Sequence, residues 1–167
     1  MIIKEIVNRR SIREYKSEAV SDEFILEIIK AGQFAPTAKN NRAIEFIVVK
    51  NQEMKDKICA ALGQEFVKKA SVLIVPVIDP DKTPCPVQDL AAATENMLLQ
   101  VVASGLGAVW KNVRPEPAVE IKSLLGIPEN LFLNVMVPVG YPNEVKPVHA
   151  EADFDKSKIR YEKWYNN

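Results

Sequence analysis

Residues 9–13 read Arg-Arg-Ser-Ile-Arg, so three guanidinium groups and one hydroxyl fall within five positions. Arginine forks match phosphate oxygens two bonds at a time, and a serine hydroxyl donates beside them. Arg9 and Arg13 are four apart, and a helical or turn-like backbone puts both on one side. The cluster follows a short helical pattern, so its charge comes from side chains and not from a helix N-terminus. Residues 35–41 read Ala-Pro-Thr-Ala-Lys-Asn-Asn. Pro36 stiffens this stretch, its small residues let a planar ligand approach the main chain, and the Asn40 amide both donates and accepts. Taken locally, each segment has a plainer alternative. The first also reads as a solvated basic face paired with nearby glutamates, and the second as an ordinary helix-to-strand loop.

Other chemistries lack raw material. His149 is the one histidine, so a histidine metal site or a catalytic triad is not expected. Cys59 and Cys85 are far apart and form no CxxC pair, which argues against a thioredoxin motif or zinc knuckle. Cys59 reads as a core filler. Cys85, between two prolines, reads as a loop cysteine or a redox thiol. Two lone thiols suit a reducing cytosol, so a cytoplasmic location is expected.

The bulk numbers set further bounds. The chain has 167 residues, 47% hydrophobic and 26% charged, which suggests one domain over 1–167 with a core that needs no staple. With 22 basic and 22 acidic side chains the formal charge is zero. Nucleic-acid or anionic-membrane partners are therefore not expected, and any anion site must be a local knot of cations. The opening Met1-Ile2-Ile3-Lys4-Glu5 carries charge where a secretory signal needs apolar residues. The apolar run 72–78 is too short for a bilayer.

The elements that must position these residues follow from periodicity. Residues 2–9 read as a short helix with Ile3, Ile6 and Val7 on one face. Ser21, followed by Asp22 and Glu23, caps a second helix. Phe24, Ile25, Ile28, Ile29 and Gly32 form its apolar face, and it stops near Pro36. Glu45–Lys50 reads as a strand and Gln52–Leu62 as a helix ending at Gly63. Ser71–Ile78 reads as a strand buried on both faces, and 79–86 as a loop. Val87–Leu106 is apolar nearly all round, which predicts a helix buried on most sides. Pattern alone leaves open whether it is a core helix or one that also packs at a subunit interface. Glu95 and Asn96 read as its exposed edge. Ala108–Trp110 is a short strand, Pro115–Leu125 a helix, and Leu131–Val139 a strand that Gly140-Tyr141-Pro142 ends. The tail 143–167 is polar, with Trp164 and Tyr165 expected to pin it to the body or to a partner. The interleaving argues for α+β with a mixed sheet. Gly105-x-Gly107 lacks the third glycine of a dinucleotide fingerprint.

Four motifs in register resemble the nitroreductase family. They are Arg9-Arg10-Ser11-x-Arg13, then Ala35-Pro36-Thr37-Ala38-x-Asn40 leading into the strand Phe46–Val49, then Gly105-Leu106-Gly107-Ala108-Val109-Trp110 after a long apolar helix, and Gly140-Tyr141-Pro142 after the last strand. The resemblance implies a central mixed, mainly antiparallel sheet flanked by helices, in an intertwined homodimer with FMN at each end of the interface. It implies an FMN oxidoreductase that takes electrons from NADH or NADPH. Nitroaromatics, quinones or a related small acceptor then receive them in a ping-pong cycle. A non-catalytic flavin-binding or storage protein of the same fold is the alternative.

By that resemblance, Arg9, Arg10 and Ser11 hold the phosphate and ribityl chain, and Arg13 reaches the pyrimidine side of the ring. Pro36, Thr37, Ala38 and Asn40 approach the same flavin from the other subunit. Trp110, Lys111, Asn112 and Val113 face the central ring nitrogen, mostly through backbone. Gln64 is a further candidate for the ring's polar edge. The family's C-terminal phosphate cation corresponds to Lys156, Lys158 or Arg160. A concentrated cation cluster suits a near-dianionic phosphate on a neutral protein, and a cation beside the ring tunes its potential. Where the family often has Gln-Pro-Trp, this chain has Arg42-Ala43-Ile44, which alters flavin-side packing or the substrate mouth. Its short length leaves little for a lid helix, so the pocket is either open and permissive or specialised for one substrate.

Overall fold

In the computed structural model, which describes residues 2–164, the second strand divides the core. This strand, β2 (Val72–Ile78), is buried at every position. Successive strand side chains point to opposite faces, so Leu73, Val75 and Val77 join one apolar cluster while Val72 and Ile74 join another. The first cluster lies under α3 (Gln52–Leu62), α4 (Phe66–Lys69) and α6 (Pro115–Leu125), through Ile58, Val67 and Ile121. The second lies under α2 (Asp22–Gln33) and α5 (Pro86–Ala103), through Ile25, Ile28, Met97, Leu98 and Val101. The sheet is thus sandwiched between two helical layers, the arrangement that buries both faces of so apolar a strand.

The strand order is β1-β2-β5-β3, with β1 at Ile44–Val49, β5 at Val135–Gly140 and β3 at Gly107–Ala108. A further two-residue strand, β4 (Lys111–Asn112), also pairs with β5. Every ladder is antiparallel. Among the described residues the one parallel pairing is the isolated bridge Ser11–Ala108, so the sheet is mixed but mainly antiparallel, as expected.

Element ends follow local chemistry. Ser21 Oγ caps α2 through Phe24 N–H at 3.4 Å, and α2 stops three residues before Pro36. The αL glycines Gly63 and Gly126 close α3 and α6. A short first helix, α1, covers only Lys4–Asn8 of the expected 2–9, and α5 begins at Pro86 and ends at Ala103, three residues short of the expectation. The strand expected over Leu131–Val139 starts at Val135, with Phe132 bridging Ile78 alone. Its ladder to β2 spans Val72–Ile74 and skips the neighbourhood of Pro76. Ile78 N–H faces Phe132, and strand period two puts the Pro76 nitrogen on that same edge, where it has no hydrogen to give. The strand expected at Ala108–Trp110 is instead Gly107–Ala108, and Trp110 lies outside it. The helix α4 had no separate signal.

Candidate functional site

The arginine segment lies against the β3 end of the sheet. Ser11 bridges Ala108 and Ile12 N–H donates to Ala108 O at 2.9 Å. Tyr15 bridges Pro142 and Lys16 N–H donates to Tyr141 O at 2.9 Å. Ile12 and Tyr15 point inward over a pair of facing glycines, Gly107 and Gly140. A β-carbon on Gly107 would sit 2.8 Å from Ile12, and one on Gly140 2.9 Å from Tyr15. Two of the motif glycines are therefore the floor on which this segment rests. The Tyr15 hydroxyl donates to the carbonyls of Ile12 at 2.6 Å and Pro138 at 3.2 Å. Burial holds its proton on well above the ordinary phenol range. Glu144 completes the hold: its Oε1 accepts from the backbone N–H groups of Arg13 at 2.5 Å and Glu14 at 3.2 Å. The Arg13 amide first, then burial working against it, then Glu14 and Lys146, leave the Glu144 carboxyl below its usual value.

With Ile12 and Tyr15 inward, the arginine side chains turn outward. Arg9 Nε stands 3.7 Å from Glu95 Oε1 on the exposed edge of α5, where that residue was expected. Arg10 donates to the Pro147 carbonyl. Arg13 lies over the Phe66 ring, its guanidinium carbon 5.8 Å from the centroid, at the start of the α4 helix that follows exposed Gln64. Among the described residues neither Arg10 nor Arg13 pairs with a carboxylate, so their charge stays available. The structure adds one cation to this group: Lys146 Nζ donates to Ser11 O at 2.5 Å and pairs with Glu144 at 3.2 Å. No motif marks Lys146, and the only signal is its place a few residues past Gly140-Tyr141-Pro142. The expected tail cations stay within the tail: Lys158 pairs with Asp155 at 3.7 Å, Arg160 stacks on Trp164 at 5.8 Å, and Lys156 is exposed. Trp164 is 81% exposed rather than pinned to the body, and Tyr165 lies outside the described residues.

Trp110–Val113 follow β3 after Val109. Lys111 pairs with Met136 and Asn112 with Val135, while Val113 N–H donates to Asn134 O at 2.8 Å. Burial first, then the charge of Arg114, lowers the Lys111 ammonium pKa. Trp110 is partly exposed, and Cys85 precedes the first residue of α5.

The second motif segment lies elsewhere. Thr37–Arg42 is a turn in which Lys39, Asn40 and Arg42 all adopt left-handed backbone, at φ 56°, 52° and 52°. Thr37 Oγ1 accepts from Arg42 N–H at 3.2 Å, and Asn40 Oδ1 accepts from Arg42 Nε at 3.2 Å. The Asn40 amide nitrogen keeps its hydrogens for another partner. The turn borders a cleft of about 440 Å³ lined by Phe34, Thr37, Asn40, Arg42 and Ile44. Its anchor is Asp89 in the first turn of α5, a residue that periodicity gave no reason to single out. The 18 residues of α5 rise about 27 Å. The turn is tied to the N-terminal end of that helix through Asp89, whereas Ser11 lies beside Ala108 and Arg9 meets the helix midway, at Glu95.

This α+β fold is shared by solved structures. The FMN-dependent nitroreductase of Clostridium difficile superposes with a TM-score of 0.93 at 30% identity, over 98% of this chain and 100% of that one. A candidate nitroreductase of Desulfovibrio desulfuricans, solved in complex with FMN, gives 0.75 at 32% identity, over 90% and 92%. In sequence, the chain is 42% identical over 171 residues to an Archaeoglobus fulgidus protein named as a candidate NADH dehydrogenase/NAD(P)H nitroreductase, covering 97% of this chain and 98% of the relative. The profile of the Nitroreductase family matches residues 6–70 and 58–141. The chain belongs to the nitroreductase family.

Proposed function

We propose that the protein binds FMN between two copies of itself and passes electrons from NADH or NADPH to a small acceptor, a nitroaromatic, a quinone or a relative of these. The observation that carries this is the arginine segment: three guanidinium groups held on a rigid sheet end, two of them without a carboxylate partner among the described residues. A phosphate dianion satisfies such a cluster. Arg9, Arg10, Ser11 and Lys146 hold the phosphate end, and Arg13 lies toward the ring's pyrimidine side with Gln64 nearby in sequence to Phe66. Trp110–Val113 line the ring. Lys158 and Arg160 reach a phosphate only if the tail lies across the partner.

A second copy supplies Pro36, Thr37, Ala38 and Asn40, as the family resemblance implies. Ile3 beside α1, Ile6 on it, Val87 on α5, and Phe154 and Trp164 in the tail are all exposed. An apolar surface of this extent suits a subunit interface. Bound FMN supplies hydride acceptance and electron donation, so the chain's residues need only bind, orient and exclude water. Donor and acceptor occupy one pocket in turn, which is ping-pong behaviour.

The test is direct. The purified protein is yellow, quenches added FMN fluorescence, sediments as a dimer and oxidises NAD(P)H with menadione or a nitroaromatic acceptor. A colourless monomer that leaves FMN fluorescence unchanged overturns the reading. A flavin-loaded dimer without turnover makes it a storage protein.

A further inference from the structure

The turn Thr37–Arg42 has no sheet ladder. Its internal bonds run from Asn40 N–H to Thr37 O at 2.9 Å, from Asn41 N–H to Ala38 O at 3.2 Å, and from Ala43 N–H to Asn41 Oδ1 at 2.9 Å. Among the described residues, its hydrogen bonds to the rest of the molecule all end on one carboxylate. Asp89 Oδ1 accepts from Ala38 N–H at 2.9 Å, and Oδ2 accepts from Asn41 Nδ2 at 3.2 Å. Oδ2 also accepts from the Thr83 hydroxyl at 2.7 Å, which ties in the loop before α5. Asp89 is 4% exposed and Thr83 5%. Burial alone would raise the Asp89 pKa, but the bonds from Thr83, Ala38 and Asn41 together lower it, so the group is ionised at neutral pH. Three non-glycine residues in left-handed backbone persist only where their surroundings over-determine them.

We propose that Asp89 is the positioning residue of the flavin-facing turn: its buried carboxylate holds Ala38 and Asn41, and through them sets the left-handed run that presents Thr37 and Asn40 to the flavin ring. This rests on the flavin reading above. It assigns ring-side grip to the turn and phosphate-side grip to Arg9 and Arg10, so the two are separable by ligand.

Apo-protein is titrated with FMN and with riboflavin by fluorescence quenching, below the melting temperature of each variant, for wild type, Asp89→Ala, Asp89→Asn and the double change Arg9→Ala/Arg10→Ala. Asp89→Ala is expected to weaken both flavins by about tenfold, to leave their affinity ratio unchanged, and to alter the visible circular dichroism of bound flavin. Asp89→Asn shifts them in the same direction, because its NH2 group meets donors already aimed at Oδ2. The double arginine change removes the preference for FMN and spares riboflavin. Amide exchange over 37–43 quickens in the Asp89 variants alone. If Asp89→Ala does not fold, Thr83→Ala removes one donor only and is expected to cost about threefold on both flavins. Unchanged affinities and dichroism in these variants, with a wild type that binds FMN, overturn the proposal. A wild type that quenches neither flavin overturns the functional reading and this proposal with it.

Discussion

The arginine segment and the asparagine turn are held in opposite ways. Residues 11–16 are stitched to the sheet by two bridges, several backbone bonds, a buried tyrosine and Glu144. Residues 37–42 have no strand partner, and their tie to the body is Asp89. One support is distributed and the other concentrated. A distributed support tolerates loss of a single bond, whereas a concentrated one fails with its one anchor. The segments also differ in the side chains assigned to the flavin: arginines in the first, Thr37 and Asn40 in the second.

The largest expected effect breaks the charge and leaves the support alone. Arg9→Ala/Arg13→Ala is expected to lower FMN affinity about 100-fold or more, since charge-assisted bonds contribute roughly 1.5–3 kcal/mol each. Melting should move little, because both side chains lie at the surface and the Arg9–Glu95 pair is long and partly exposed. Equilibrium titration and a denaturant melt on the same sample check this. Unchanged affinity removes the phosphate assignment.

The next effect attacks the floor. Gly107→Val puts branched carbon where even a β-carbon would stand 2.8 Å from Ile12. It is expected to cost about 1–3 kcal/mol, as overpacking does, and to weaken FMN because the arginines are lifted off the sheet end. A melt that matches wild type would mean the segment is less fixed than its bridges imply.

The contrast also explains what was legible in the sequence. β2, α3, α5 and α6 were readable because apolar periodicity and caps are local signals, and Pro115–Leu125 and Gln52–Leu62 fall where expected. The arginine segment was readable as charge, but its seat was not, since Gly107 and Gly140 make it only once strands 33 residues apart pair. Asp89 was missed because a lone acid in the first turn of a helix looks like a response to the helix dipole. Only the fold reveals that its oxygens face residues 38 and 41. Lys146 was missed for the same reason: its partner Ser11 is 135 positions away. Only the family resemblance points to tail cations at 158 and 160, and among the described residues of one chain they meet the tail alone.

The smallest expected effect sharpens the comparison through pH. Glu144 and Asp89 each have a folded pKa below the ordinary carboxylate value. For such a group the stabilisation is fully present above the unfolded pKa of about 4 and is lost as pH falls through the folded one. Below about pH 4 the unfolded chain binds more protons than the native one, so stability rises with pH there and each of these groups contributes to the slope. Glu144→Gln keeps an acceptor for the Arg13 amide but cannot titrate. At pH 7 it is expected to cost no more than about 1 kcal/mol, because one oxygen still accepts and the neighbouring bridges remain. Between roughly pH 5 and pH 3 its melting temperature should fall less steeply than that of wild type. Asp89→Asn should show a similar flattening together with a larger loss at pH 7, because among the described residues no other hydrogen-bond partner ties its turn to the body. Equal losses for the two variants at pH 7 would mean that the supports do not differ in the way their hydrogen bonds indicate.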